Sequence, residues 1–207
     1  MIRLSEEVTL AIDGKEVKAE KGTTILEVAK ANKIDIPTLC YNEKMTPYGG
    51  CRICMVEITR GGRRKLVTSC AYPVEEGLEV ATNNERIRKV RGMLLELLLP
   101  LADTGPIREL AEKYGVTKSR FEAKPTDCIL CGLCVRYCAE VKKVNAVCFT
   151  GRGTSRDISP MPEIAPDICP ICQECNSLCP AGKIVELTQD RHLLSIPISK
   201  KKTIASG

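Results

Sequence analysis

The chain has 207 residues, a formal net charge of +5, 13 cysteines and one histidine, and only 3% of its residues are aromatic. Because 26 acids are interspersed among 31 bases, the charge is too evenly balanced to indicate a nucleic-acid partner. Two acids precede any apolar stretch, and the most apolar run, 93–101, is far too short to span a bilayer. We therefore expect no signal peptide, no membrane span, a cytoplasmic location, and cysteines that bind metal rather than form disulfides.

The first predicted elements form a small mixed sheet with one crossing helix. Alternating apolar residues around an Asp-Gly turn indicate a hairpin over residues 8–20. A capping box of Thr24 and Glu27 predicts the start of a short helix. Further strands are predicted at 55–58, 65–68 and 78–80.

Four cysteines lie within and beside this predicted sheet, with the spacing C-x10-C-x2-C-x15-C: Cys40, Cys51, Cys54 and Cys70. Plant-type 2Fe–2S ferredoxins have a first gap of four residues, whereas the gap here is ten. Four cysteines in a small sheet domain suit a 2Fe–2S cluster, in which each of two irons takes two thiolates. The spacing leaves two zinc-binding pairs or free thiols open as alternatives.

Two helices are predicted next. The first covers residues 84–99, capped by Asn83 or Asn84 and ended by Pro100, and the second runs from about Pro106 to Gly115. The apolar stripe predicted for the first helix consists of Ile87, Val90, Leu94, Leu97 and Leu98. We expect both helices to act as packing and spacing elements.

The spacing C-x2-C-x2-C-x3-C occurs twice, over 128–138 and 169–179, and Pro180 follows the second run. This is the run that holds a pair of 4Fe–4S clusters in bacterial ferredoxins, where the fourth cysteine of each run ligates the other cluster. We expect a tight loop to carry the first three cysteines and a helix to begin at the fourth. One predicted cluster is held by Cys128, Cys131, Cys134 and Cys179. The other is held by Cys169, Cys172, Cys175 and Cys138.

Zinc is the alternative ligand for these runs, but it usually takes two cysteines from each of two separated hairpins. Ala139 stands where proline often follows the fourth cysteine, and proline there ligates nothing. Cys148 lies in an apolar run and is predicted to be a buried structural thiol. His192, past the last cysteine, is predicted to be an ordinary surface or interface residue. Water near the 4Fe–4S clusters is expected to be excluded by Ile129, Leu130, Leu133, Ile168 and Ile171.

The segments 37–40, 50–57 and 69–70 carry a more specific resemblance. With the later runs they resemble a family that includes the large iron–sulfur subunit of respiratory complex I, the diaphorase iron–sulfur subunit of NAD-reducing hydrogenases and the accessory region of iron-only hydrogenases. The resemblance extends over residues 6–190. It implies an α+β fold with a β-grasp 2Fe–2S ferredoxin domain over 1–82, a helical connector over 83–123 and a two-cluster 4Fe–4S ferredoxin domain over 124–190. A tail over 191–207, which we expect to be disordered alone or ordered only against a partner, completes the predicted organisation.

The chain departs from this family in its connector. The family normally holds another 4Fe–4S cluster there with one histidine and three cysteines, and residues 71–127 contain neither residue type. In an iron-only hydrogenase the catalytic domain should follow the ferredoxin region, whereas this sequence ends at Gly207, so we do not expect the chain to be a hydrogenase alone. The chain therefore most resembles the short diaphorase-type subunit of NAD(P)-linked hydrogenase or formate dehydrogenase complexes.

Nothing in the sequence resembles a site for substrate chemistry, a nucleotide-binding glycine motif or a flavin site. We expect a non-catalytic subunit that relays single electrons between an NAD(P)H-binding FMN flavoprotein and a catalytic hydrogenase, because two-electron hydride chemistry needs a flavin converter. The open alternatives are the same role in a formate or aldehyde dehydrogenase complex, a free-standing ferredoxin-like carrier, and a zinc scaffold.

Overall fold

The computed structural model describes residues 6–123, 126–187 and 193–197. The chain divides into two compact units: Met1–Tyr41 with Pro47–Leu95, and Asn42–Thr46 with Glu96–Gly207. Within the described ranges, no helix has both the length and the apolar character needed to cross a membrane.

The first unit is built on a five-stranded mixed sheet in the order β2-β1-β5-β3-β4. Its strands are β1 (Glu7–Ile12), β2 (Lys15–Glu20), β3 (Met55–Arg60), β4 (Arg63–Thr68) and β5 (Glu79–Ala81). Strands β1 and β5 are parallel, and the other neighbours are antiparallel. The predicted mixed sheet is confirmed. The Leu10–Val17 and Val8–Ala19 pairs show why the hairpin forms, since the alternation puts the apolar members of both strands on one face.

Helix α1 (Ile25–Ala31) crosses this sheet and begins at the predicted capping box. The Thr24 side chain accepts from the Glu27 N–H, and the Glu27 carboxylate accepts from the Thr24 N–H at 2.7 Å. Four residues of α1 are buried, at Ile25, Leu26, Val28 and Ala29. They join Val8, Leu10, Ile12, Val56, Ile58 and Val80 in one aliphatic core.

Helices α2 (Glu85–Leu98) and α3 (Gly105–Lys113) lie where the sequence predicts them. Asn84 caps α2, because its Oδ1 accepts from the Ile87 N–H at 2.9 Å. The apolar stripe predicted for α2 is wrong in part: the buried residues are Ile87, Arg91, Gly92 and Leu95, and Leu97 is 45% exposed. The helical period is compatible with burial of either of two adjacent faces of α2. The face that is buried is the one that includes Arg91.

The second unit has shorter elements. Helix α4 (Leu133–Arg136) continues into a π-helical turn over Tyr137–Val141, and a 3₁₀ turn spans Gly153–Ser155. Two more helices follow, α5 (Ala165–Cys172) and α6 (Glu174–Ser177). Its strands form two antiparallel hairpins, β6 (Val147–Thr150) with β7 (Asp157–Pro160), and β8 (Lys183–Leu187) with β9 (Leu193–Pro197).

Strand β9 lies inside the segment predicted to be a tail over 191–207. Its residues Leu193–Pro197 pair with Lys183–Leu187 of β8 in an antiparallel register, and the expectation that the tail is disordered alone, or ordered only against a partner, stays a prediction. The remainder of the predicted tail lies outside the described residues.

A short segment from between the first two cysteines belongs to the second unit. The Thr46 N–H donates to Glu140 Oε2 at 2.7 Å, and Arg136 Nη2 donates to the Thr46 carbonyl. Arg136 and Glu140 also form an ion pair at 3.4 Å along the helix. The ten-residue gap between Cys40 and Cys51 therefore contains residues that pack on the helix carrying Cys134.

Candidate metal centres

The first cysteine group lies at one end of the β3–β4 hairpin. Cys54 directly precedes β3, and Cys70 follows β4 by two positions. Met55 pairs with Thr68 across the hairpin, so the start of β3 and the end of β4 meet and bring these two cysteines together. Cys40 and Cys51 come from the preceding loop, and the Cys51 N–H points at the Cys40 sulfur at 3.5 Å.

All four of these thiols are buried, with exposed fractions of 2% for Cys40, 9% for Cys51, 1% for Cys54 and 1% for Cys70. A hydrogen bond from Cys70 lowers the pKa of the Cys54 thiol to about 6, and the same bond raises the pKa of Cys70. The hydrogen bond to Cys40, together with burial, raises the pKa of Cys51. Buried thiols in mutual contact cannot all ionise unless cations share their space, and metal ions supply that charge.

The backbone around Cys51 has little room for side chains. A Cβ on Gly50 would lie 2.5 Å from the Tyr48 ring. Arg52, between Cys51 and Ile53, has a left-handed φ of 63°. This turn lets two sulfurs only three positions apart face the same space.

The second cysteine group surrounds two cavities within the second unit. One cavity has an empty volume of about 540 Å³, open solvent included, and its lining cysteines are Cys128, Cys131, Cys134, Cys175 and Cys179. The other has an empty volume of about 430 Å³, measured in the same way, and its lining cysteines are Cys138, Cys169, Cys172 and Cys175. Each cavity thus contains one of the cross-ligated sets predicted from the spacing, and Cys175 touches both. Ligation itself stays a prediction.

The elements that carry these cysteines differ from the predicted ones. Cys128 and Cys131 lie on a loop, but Cys134 lies in α4 and both Cys169 and Cys172 lie in α5. No helix begins at the fourth cysteine of either run: Cys138 is inside the π-helical turn, and Cys179 lies in a turn after α6. The extra backbone residue of a π turn changes the direction of the side chains that follow. This change is consistent with the position of Cys138 in the cavity that Cys169 and Cys172 also line.

Backbone amides point at two of these sulfurs. The Ala146 N–H donates to Cys138 Sγ at 3.1 Å, and the Leu130 N–H donates to Cys128 Sγ at 3.3 Å. Leu130 has a left-handed φ of 52°, and Gly132 has one of 74°. Such N–H···S bonds stabilise negative charge on sulfur and are one way in which a protein tunes a sulfur-ligated metal centre.

Burial makes the ionised form of these thiols unfavourable without a metal. It raises the pKa of Cys175 to about 11 and also raises the pKa values of Cys134 and Cys169. In the part of the chain that the structure describes, no three histidine, cysteine or acidic side chains form a group that could hold a single metal ion. The cysteines of the second unit line the two cavities instead.

Several predicted positions around the cavities are confirmed and others are not. Ile129 is 8% exposed, and Leu133 is 5% exposed; both line the larger cavity as predicted. Ile171 is 87% exposed, so its predicted role in excluding water is wrong: the exposed side of α5 carries it. Leu130 and Ile168 are half-buried.

Cys148, predicted to be a buried structural thiol, is only half-buried in β6, because this two-stranded hairpin covers it incompletely. Its Sγ lies 3.6 Å from the Ser159 carbonyl oxygen across the hairpin, and it lines neither described cavity. The prediction for His192 lies outside the described residues.

A polar network beside the smaller cavity was not predicted. Tyr137 Oη donates to Glu174 Oε2 at 2.7 Å, and Lys142 Nζ donates to Glu174 Oε1 at 2.5 Å. The bond from Lys142 lowers the pKa of Glu174, and the bond to Glu174 raises the pKa of Tyr137. The network joins the π-helical turn, which carries Cys138, to α6, which carries Cys175. Sequence separation hides such a contact, since 32 positions separate the lysine from the acid.

Comparison with known families supports a 2Fe–2S cluster for the first cysteine group. Residues 5–85 match a family described as a 2Fe-2S iron-sulfur cluster binding domain. This range includes all four cysteines of the first unit.

Curated relatives extend the likeness into the second unit. The chain is 33% identical over 204 residues to the NADPH-Fe(3+) oxidoreductase subunit alpha of Geobacter sulfurreducens, a match that covers 86% of this chain and 24% of that protein. It is also 33% identical to the NADP-reducing hydrogenase subunit HndD of Solidesulfovibrio fructosivorans, over 86% of this chain and 36% of that protein. The NADH-ubiquinone oxidoreductase 78 kDa subunit of Candida albicans is 31% identical, over 80% of this chain and 28% of that protein. The chain thus spans between about a quarter and about a third of these curated relatives.

A solved structure is similar over a larger share of its own length. A chain of an NAD⁺-reducing [NiFe]-hydrogenase, crystallised in the H₂-reduced state, superposes with a TM-score of 0.66 at 30% sequence identity. The match covers 74% of the present chain and 75% of the hydrogenase chain.

Proposed function

Because the chain belongs to the family of iron–sulfur electron-transfer subunits of NAD(P)-linked hydrogenases and respiratory complex I, we propose that it relays single electrons through three clusters. One is a 2Fe–2S cluster and two are 4Fe–4S clusters. The observation that carries the proposal is the separation of eight cysteines of the second unit between two cavities. The first unit contributes four buried thiols within the matched 2Fe–2S domain, where Cys51 contacts Cys40 and Cys54 contacts Cys70.

The proposed ligands follow from these three groups. The 2Fe–2S cluster takes Cys40, Cys51, Cys54 and Cys70. One 4Fe–4S cluster takes Cys128, Cys131, Cys134 and Cys179, and the other takes Cys138, Cys169, Cys172 and Cys175. Contact of Cys175 with both cavities leaves its cluster open on geometry alone, and the spacing assigns it to the second.

The domain organisation follows the same assignment. We propose a 2Fe–2S ferredoxin domain over 1–82, a helical connector over 83–123, and a two-cluster ferredoxin domain over 124–190. Support comes from the sheet of the first unit, from the positions of α2 and α3, and from the restriction of the second cysteine group to 128–179.

Each bound cluster would accept and release one electron. The chain positions the cysteine thiolates, excludes water from them and stabilises negative charge on their sulfur atoms. Ile129 and Leu133 cover the larger cavity. Amides of Leu130 and Ala146 stabilise negative sulfur in the two 4Fe–4S sets.

The partners are inferred from electron counting. A nicotinamide delivers two electrons as a hydride, so a relay of one-electron centres needs a flavin between it and the nicotinamide. The proposed partners are therefore an NAD(P)H-binding FMN flavoprotein and a catalytic hydrogenase subunit. The names of two relatives, an NADPH-linked oxidoreductase and an NADP-reducing hydrogenase, support this choice. Metal analysis of the native complex tests it: nickel would indicate a nickel–iron hydrogenase, molybdenum or tungsten would indicate formate or aldehyde dehydrogenase, and an iron-only hydrogenase would contain none of these metals.

A matched pair of cysteine substitutions tests the ligand assignment. Cys138 and Cys148 are ten positions apart, but only Cys138 lines a cavity. Cys138→Ser in the reconstituted chain is expected to lower the iron content by up to about four atoms, since serine replaces a thiolate ligand of a 4Fe–4S cluster. Cys148→Ser is expected to leave it unchanged. Equal iron loss in the two variants, or none in either, would contradict the assignment.

A further inference from the structure

Arg91 is the largest fully buried side chain of the described residues, with 1% of its surface exposed. It lies on α2 between Ile87 and Leu95, both 0% exposed and each one helical turn away. It therefore lies in the middle of the buried face of α2. A guanidinium is always charged, and a buried charge requires both hydrogen bonds and nearby negative charge.

The Arg91 side chain bonds to the backbone of the residue that follows Cys54. Its Nη2 donates to the Met55 carbonyl oxygen at 2.7 Å. Met55 is the first residue of β3 and directly follows Cys54. The carbonyl of Cys54 in turn accepts from the Ser69 N–H at 3.2 Å and from Ser69 Oγ at 2.8 Å. Arg91 thus fixes the backbone at the point where the chain passes from Cys54 into β3.

The carboxylate two positions along β3 has other cationic partners. Glu57 accepts from Arg86 at 2.9 Å and lies 4.0 Å from Arg64. The cysteine set, once it is ionised, is a concentration of negative charge at this end of β3, since Cys54 directly precedes Met55. Cys54 and Cys70 are each 1% exposed, so water screens them little from a buried cation.

We propose that the buried charge of Arg91 raises the reduction potential of the 2Fe–2S centre. The inference rests on the proposed function, in particular on ligation by Cys40, Cys51, Cys54 and Cys70. Reduction moves one electron from the redox partner to the centre, with no bond broken and no proton required, and adds one negative charge. A nearby buried cation stabilises that added charge, so the reduced state is favoured.

Substitutions at Arg91 separate charge from hydrogen bonding. Arg91→Gln keeps a donor for the Met55 carbonyl and removes the charge, whereas Arg91→Lys keeps the charge on a different donor. Arg88→Gln is the control, because Arg88 is an exposed arginine on the same helix and its loss changes the net charge equally. The measurement is a redox titration of the 2Fe–2S EPR signal in the full reconstituted chain, with iron content determined on the same samples.

In Arg91→Gln we expect the equilibrium constant for reduction to fall about tenfold, which is 59 mV for a one-electron couple. Arg91→Lys is expected to stay near the unmodified chain, and Arg88→Gln is expected to shift much less because solvent and salt screen an exposed charge. A shift in Arg91→Gln no larger than in Arg88→Gln would overturn the proposal.

Loss of the centre in a variant is also decisive. If Arg91→Gln loses the 2Fe–2S signal and Arg91→Lys retains it, the positive charge is required and the proposal stands. If both variants lose it, Arg91 acts through its shape alone and the proposal fails. Absence of a 2Fe–2S signal in the unmodified chain would instead reject the proposed function, before any variant is compared.

Discussion

The two units bury different kinds of side chain. The core of the first unit is mainly aliphatic and is formed by its sheet and α1, and it also includes Cys54 and Cys70, which lie in the loops next to β3 and β4. Around the smaller cavity of the second unit, the buried cluster consists of Cys138, Ala146 and Ala165. In the first unit, most core residues are aliphatic, and two of the four candidate ligands are among them. In the second, the candidate ligands are themselves part of the packing.

The largest expected effect therefore comes from metal removal. Chelation of iron from the reduced chain is expected to unfold residues 128–179 and to leave β1–β5 and α1 folded, because metal ligation substitutes there for a small apolar core. Hydrogen–deuterium exchange measured before and after chelation checks this. Equal loss of protection in both segments, or retained protection in 128–179, would break the contrast between the units.

Glycine substitutions in the second unit test whether the turn between β6 and β7 tolerates a side chain. A Cβ on Gly151 would lie 2.1 Å from the Ser155 carbonyl oxygen, and its φ is +67°. Gly151→Ala is expected to cost more than the roughly 1–2 kcal/mol of a left-handed alanine, since the backbone must also move. Chemical denaturation of the metal-loaded chain measures the change.

Gly153→Ala is the matched control for that substitution. Gly153 also has a positive φ, of 53°, but nothing lies within 4 Å of its added Cβ. It should cost only the conformational part, about 1–2 kcal/mol. A cost for Gly151→Ala no greater than for Gly153→Ala would show that the β6–β7 turn yields easily.

The smallest expected effect is a pH dependence of the second unit. Arg120 donates to Glu96 at 2.6 Å and lowers the pKa of that carboxyl below its ordinary value. The ion pair therefore stabilises the fold above the unfolded pKa of about 4.3, and the stabilisation is lost as pH falls through the lower folded pKa. Denaturation midpoints between pH 3 and pH 6 check this.

Glu96→Gln is the control for the pH measurement, because glutamine keeps the shape of the side chain without its titration. The variant is expected to lose a small part of the acid sensitivity that the unmodified chain has in this range. An identical pH profile in the two chains would mean that the pair contributes no stability, as is common for pairs in which the arginine is 71% exposed.

Local signals in the sequence predicted the first unit better than the second. The capping box at Thr24 and the Asn84 cap each join residues three positions apart, and the hairpin pairs residues at most 13 positions apart; all three are confirmed. Cysteine spacing also predicted which cysteines share a cavity, because a short gap restricts where the next sulfur can point.

Long-range contacts were beyond sequence reasoning. The burial of Arg91 depends on a carbonyl 36 positions away, and Thr46 is held by a carboxylate 94 positions away. The helical assignment of Cys169 and Cys172 was hidden because Pro170 lies inside α5, where proline normally argues against a helix. In each case the structure depends on tertiary packing, which the local sequence pattern does not predict.

The central claim is the number and type of clusters. Iron and sulfide determination on the anaerobically reconstituted chain, combined with EPR of the stepwise-reduced sample, tests it most directly. The account predicts about ten iron atoms per chain, with one 2Fe–2S signal and signals from two interacting 4Fe–4S clusters, because each cluster type contributes its own irons. A stable content near six atoms after full reconstitution, or zinc in place of iron, would contradict it.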